Sequence, residues 1–227
     1  MARTFTDDQL RDVVASSLFV AGSVYTRRPD GDLCFNGERP GPRWHGHGYF
    51  PRRLWMLEEG RLVRRRLWKR RWRDPTTGST VHSRPPEDAA QVWSCTLIVL
   101  LKLWAWLDGS LLAGHEVVPE LETHGSFRTV QRWGGRAAAR ADEVLHYTRL
   151  TVIERSEPRP VEHLFPSGLS PPDGLLRRRW RRPREIQRLW QALAWLFAGA
   201  IALSTPASLL LAEARGRMIA TEASFPI

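Results

Sequence analysis

Two runs of this chain cannot stay in water: residues 96–107, TLIVLLKLWAWL, and residues 189–204, LWQALAWLFAGAIALS. They either cross a membrane or are buried inside a fold, and that choice decides the architecture. The first run is well short of the ~20 apolar residues a span needs, and it carries Lys102. The second reaches spanning length only by continuing through Pro206 to Ala212, past Ser204-Thr205-Pro206, with Gln191 inside it. In that case the arginines before it would satisfy the positive-inside rule. Two buried helices of a globular protein explain both runs with less strain, and no membrane association is expected. The discriminating feature is Pro206, where two packed helices would cap and a span would run through.

Other helices follow from apolar spacing. Residues 7–19 place Leu10, Val13, Val14, Leu18 and Phe19 on one face, with Thr6 positioned to cap them. Residues 87–107 read as one helix, and a short one is expected from 111 or 116 to 121. Residues 127–153 follow with Ser126 as N-cap, and Gly134-Gly135 weaken the middle by about 1 kcal/mol each relative to Ala. Helices over 185–203 and 207–218 close the chain, separated by Pro206. Between 49 and 73 the pattern changes to a β-hairpin: 49–57, a turn at Glu58-Glu59-Gly60, then 62–72, with imperfect alternation. Residues 156–172 form a Pro-rich connector. The expected fold is mainly α with a small β-ribbon. Its four regions are 1–31, 32–84, 85–155 and 156–227.

The formal net charge of +10 points to a polyanionic partner, nucleic acid or an anionic surface. Half of the 34 basic residues fall in two tracts, 52–73 and 177–188. The residues expected to meet phosphates are Arg64, Arg65, Arg66, Lys69, Arg70 and Arg71 in the first tract. In the second they are Arg177, Arg178, Arg179, Arg181 and Arg182. Trp55, Trp68, Trp72, Trp133 and Trp180 lie among arginines, as core aromatics with snorkelling neighbours or as stacking partners. Two cysteines make no disulfide framework, which fits a reducing cytoplasm.

The order of segments in 33–83 carries a resemblance. Leu33-Cys34-Phe35-Asn36-Gly37 leads to His45-Gly46-His47-Gly48-Tyr49-Phe50-Pro51-Arg52. The basic run follows, and then Asp74-Pro75-Thr76-Thr77-Gly78-Ser79-Thr80-Val81-His82-Ser83. This resembles the N-terminal zinc ribbon of transposase-like proteins from bacterial mobile elements. There a Cys-x-x-Cys knuckle, an HGxYxR strand, a basic strand and a second knuckle ending in GxTFS succeed one another. The metal ligands depart from that pattern. Gly37 stands in place of the second thiolate, and Trp72 and Thr77 replace the second pair. A structural zinc needs four ligands. Cys34 alone remains, and His45, His47 and His82 match no standard spacing, so no cofactor is expected. Packing by Trp68 and Trp72 takes the metal's place.

A second resemblance lies in Ser126-Phe127-Arg128-Thr129-Val130-Gln131-Arg132-Trp133, which is similar to the S-x-R-T-V-x-R-W opening of transposase-type and resolvase-type recognition helices. It implies a helix-turn-helix. Ser126 would cap, Val130 and Trp133 would face the core, and Arg128, Thr129, Gln131 and Arg132 would face the major groove. No phosphate-binding Gly loop, nucleophile elbow or convincing carboxylate triad accompanies these motifs. The expectation is therefore a non-catalytic DNA-binding accessory or regulatory factor of a transposon or other mobile element, nucleoid-associated in the cytoplasm. Its partners would be double-stranded DNA and other mobile-element proteins, with no small-molecule substrate. The alternatives are an interaction scaffold whose arginines bind an acidic protein and, ranked behind it, a membrane-associated protein.

Overall fold

The computed structural model describes residues 5–17, 25–58, 61–86, 94–108, 121, 124–156, 171–173, 175 and 180–224. Among them, five strands form one sheet: β1 (Tyr25–Arg27), β2 (Leu33–Phe35), β3 (His45–Glu58), β4 (Arg61–Arg73) and β5 (Thr80–His82). Six helices accompany it: α1 (Asp7–Ser17), α2 (Thr96–Asp108), α3 (Phe127–Ala138), α4 (Ala141–Ser156), α5 (Pro183–Leu203) and α6 (Ala207–Ser224).

This is a mixed fold, which corrects the expectation of a mainly α protein with a small ribbon. The hairpin is present but longer than expected. β3 and β4 pair antiparallel from His45↔Arg73 to Glu58↔Arg61. At 14 and 13 residues they are more than twice a typical strand of about 5–6 residues. A bulge interrupts the register between Gly46 and Tyr49. There Gly48 takes φ 81°, a conformation that L side chains rarely adopt. The far edge of β4 is shared by β2, parallel at Leu33↔Leu67 to Phe35↔Lys69, and β5, antiparallel at Arg71↔His82 to Arg73↔Thr80. β1 then pairs with β2. Strands of three residues are too short to show a period of two, so β1, β2 and β5 carry no sequence signal of their own.

The helices follow the apolar pattern more closely. α1 opens with a reciprocal capping box: Gln9 N–H donates to Thr6 Oγ1 (3.2 Å), and Thr6 N–H donates to Gln9 Oε1 (2.8 Å). The helix expected over 127–153 is two helices, α3 and α4, with the turn at Ala139 and Arg140. Gly134 and Gly135 do not break it. Most of the helix expected over 111–121 lies outside the described residues.

Both apolar runs are helical and enter one hydrophobic cluster that also takes in Leu33, Leu54 and Leu67 from the sheet. Its centre is aromatic. Trp104 stacks on Trp190 (centroids 5.9 Å) and meets Phe5 and Phe197 edge-on (5.2 and 5.4 Å). α5 has the length and apolarity of a membrane span, and 67% of its apolar window is buried within the fold. It ends at Ser204, held left-handed at φ 47°. Leu209 and Leu210 N–H groups then donate to Pro206 O as α6 begins. The chain thus caps and turns at Pro206. α4 packs on both α5 and α6, tied by ion pairs from Arg188 to Asp142 (3.1 Å), Arg217 to Glu154 (2.6 Å), and Arg155 to Glu213.

Candidate nucleic-acid interface

Alternation along β4 sorts its residues between the two sheet faces. Leu67 is buried among Leu33, Leu54 and Met56, so the odd-numbered side chains belong to the core side. The even-numbered ones, Arg64, Arg66, Trp68, Arg70 and Trp72, form a row on the opposite face. Their cross-strand partners on β3 are Trp55, Arg53, Pro51, Tyr49 and Gly46. Arginine and aromatic side chains therefore alternate along one surface, and they touch. The Arg70 guanidinium lies over the rings of Tyr49 (4.9 Å) and Trp72 (5.4 Å). Arg66 and Arg28 both lie over Trp68 (5.5 and 5.0 Å). Gly46 makes room, since a methyl there would sit 2.0 Å from the Arg70 guanidinium. Two carboxylates stand close to the row: Asp32, which accepts from the Trp68 indole (3.0 Å) and stands 3.7 Å from Arg66, and Asp30, 3.7 Å from Arg28. Stacking fixes the plane of a guanidinium and leaves its edge N–H groups facing outward, an arrangement suited to phosphate oxygens.

Beside this row, a set of side-chain hydrogen bonds ties β2, β3, β4 and the segment after β5 together. The Trp72 indole donates to Ser83 Oγ (3.0 Å), Ser83 Oγ donates to Asn36 O (3.1 Å), and Tyr49 OH donates to Asn36 Oδ1 (2.6 Å). Gly37 closes the arrangement at φ 62°, where a methyl would meet Ser83 Oγ at 2.5 Å. Cys34 sits in β2 opposite Trp68. Among the described residues no three His, Cys, Asp or Glu side chains gather as a metal site. The residues at the knuckle positions do not fit a zinc ion. Thr77 belongs instead to the Asp74 turn, where the buried Asp74 carboxylate accepts from Thr76 N–H (2.9 Å) and meets Arg43 (3.1 Å). Burial pushes that carboxyl up, but the Thr76 amide, Arg43 and Thr77 outweigh it, and its pKa ends below the ordinary value.

α3 begins at a side-chain cap. Ser126 Oγ accepts from Thr129 N–H (3.3 Å). Val130, Gly134 and Ala138 are buried. Trp133 is half-buried against the core, and Arg128, Gln131 and Arg132 are exposed. Thr129 is half-buried, and its hydroxyl is engaged with Ser126 Oγ (3.0 Å). The helix start is fixed to the sheet. His124 packs edge-on against Trp55 (5.5 Å) and hydrogen-bonds Ser94 Oγ (2.8 Å). Trp55 is the cross-strand neighbour of Arg64. Four residues of chain from His124 reach Arg128, at most roughly 14 Å. The row of arginines and the N-terminus of α3 are therefore adjacent.

The structure separates the expected phosphate-binding residues. Arg64, Arg66 and Arg70 share the open face, joined by Arg53 and Arg28. Arg65, Lys69 and Arg71 lie on the other one. Arg65 is committed to Glu58 through two hydrogen bonds (3.0 and 2.7 Å). Lys69 is only 8% exposed and lies 5.8 Å from the Phe50 ring. Arg181 and Arg182 are exposed at the start of α5, away from the row in sequence. Arg177, Arg178 and Arg179 lie outside the described residues. Sequence reasoning did not single out Arg28, which reaches Trp68 from the turn between β1 and β2. Its only local sign was loop composition. The chain matches no protein family model, no curated protein and no solved structure.

Proposed function

We propose that this protein binds double-stranded DNA without catalysing a reaction on it, as an accessory or regulatory factor of a mobile element. The observation that carries the reading is the stacked row of arginines and aromatics on the open face of β3 and β4. From Arg64 to Arg70 the row covers roughly 20 Å of strand, a distance that spans several phosphates. The division of labour would be the usual one, with the ribbon positioning the protein on the backbone and α3 reading bases through Arg128, Gln131 and Arg132. The mobile-element assignment rests on the two sequence resemblances.

The test is a salt titration of binding to duplex DNA by the wild type, by Arg66→Ala/Arg70→Ala and by Arg128→Ala. Wild-type affinity should fall steeply with salt, by about 0.9 log units per log unit of salt for each phosphate contacted. The double variant should flatten that slope by about 2 at every sequence tested. Arg128→Ala should instead narrow the gap between preferred and random duplexes, by about 1–3 kcal/mol if Arg128 reads a guanine. Folded protein that binds no duplex at low salt would end the DNA reading and leave an acidic protein as the partner of the row.

A further inference from the structure

A second basic feature lies among the helices, with different surroundings from the ribbon. α2, α3, α4, α5 and α6 enclose a cavity of about 410 Å³. Its inner wall is aliphatic: Leu100, Leu103, Leu193, Leu196 and Leu211 are buried there. Four arginines also line it, Arg84, Arg136, Arg140 and Arg215, and all four are exposed. No Asp or Glu is among the described residues that line it. Arg140 is engaged with Glu143 (2.5 Å). Arg84, Arg136 and Arg215 have no ion pair among the described residues. Burial first, and then the charge of Arg84, push the Arg215 pKa down.

An apolar interior with polar groups converging at one end is the usual build of a small-molecule site, and this volume falls in the roughly 300–1,000 Å³ range of such sites. Like charges gathered without a counter-charge are unfavourable unless something negative joins them. The interior excludes a hydrated anion as the full occupant, and the rim disfavours a neutral hydrocarbon. We infer that the cavity binds a single-chain amphiphile with an anionic head, the chain among the leucines and the head between Arg136 and Arg215. This ligand is separate from the nucleic acid proposed above, and nothing in the sequence announces it.

Calorimetric titration of the full chain with decanoate tests the inference, with 1-decanol as the neutral match and inorganic phosphate as the headgroup alone. Decanoate should bind at micromolar concentration, with decanol at least ten-fold weaker and phosphate unable to displace it. Arg136→Ala/Arg215→Ala should weaken decanoate ten-fold or more with circular dichroism unchanged. Val99→Phe, which places bulk at a half-buried wall position, should abolish binding while circular dichroism stays unchanged. A parallel titration with decyl phosphate names the preferred head by whichever binds tighter. Absence of decanoate heat, equal binding of decanoate and decanol, or displacement by phosphate would each overturn it, and so would indifference to the double variant.

Discussion

A methyl group at Gly134 would lie 2.2 Å from the ring of Trp106, whereas one at Gly135 would meet nothing within 4 Å. Adjacent glycines in one helix thus have opposite standing. Gly134 lets α3 approach α2 through the indole, and that ring is itself held edge-on by Trp180 (5.1 Å). Gly135 faces solvent and only weakens the helix. Gly134→Ala should destabilise the fold by about 1–2 kcal/mol, because overpacking against a fixed ring exceeds the gain in helix propensity. Gly135→Ala should stabilise it by about 1 kcal/mol. Denaturant midpoints of the two single variants, compared at equal slope, check both signs. From sequence the pair read as one weak point in a helix. The distinction depends on Trp106, which lies 28 residues earlier in the chain, and no local pattern could reveal it.

Among the elements, the junction of β2, β4 and β5 is closed by side-chain hydrogen bonds. Ser83 is its central residue, accepting from Trp72 and donating to Asn36 while its own amide donates to Arg70 O (2.9 Å). Ser83→Ala removes both side-chain bonds and should cost about 1–2 kcal/mol. Amide exchange should quicken around Asn36 and Ser83 and stay unchanged in α4 and α5. Much of this junction was legible as a list of residues: Gly37, Trp72 and the segment ending at Ser83 all stood at knuckle positions. Of the two tryptophans expected to pack there, Trp72 bonds Ser83, while Trp68 lies under Arg28 and Arg66 and bonds Asp32. What stayed hidden was the sheet. Long strands with arginine on both faces blur the period of two, and three-residue strands have none. The helices α5 and α6 were legible to within a few residues at their starts, because apolar spacing and Pro206 speak locally.

At the scale of the molecule, His124 joins the sheet to the helices and makes the union sensitive to acid. Burial first, and then the charge of Lys102, hold its pKa below the ordinary histidine value. The unfolded chain therefore takes up a proton before the folded one does. Its contribution to stability is complete above about pH 6.5 and is lost as pH falls through the lowered folded value. His82, lowered by burial and by Lys69 and Arg71, adds in the same direction. The denaturant midpoint should drop between pH 7.5 and pH 5, and His124→Gln should reduce that drop, since glutamine does not titrate. Protonation places a charge where burial and Lys102 oppose it, beside Trp55, so the start of α3 would loosen from the ribbon first. A further consequence concerns the arginine row itself. The chain has only two lysines, Lys69 and Lys102, and Lys69 is buried in the sheet. Acyl transfer to amines, a common way of discharging a basic surface, finds no target in the row, and methylation of arginine leaves its charge in place. Neither of these two modifications can discharge that face, so its arginines keep the charge they have at synthesis.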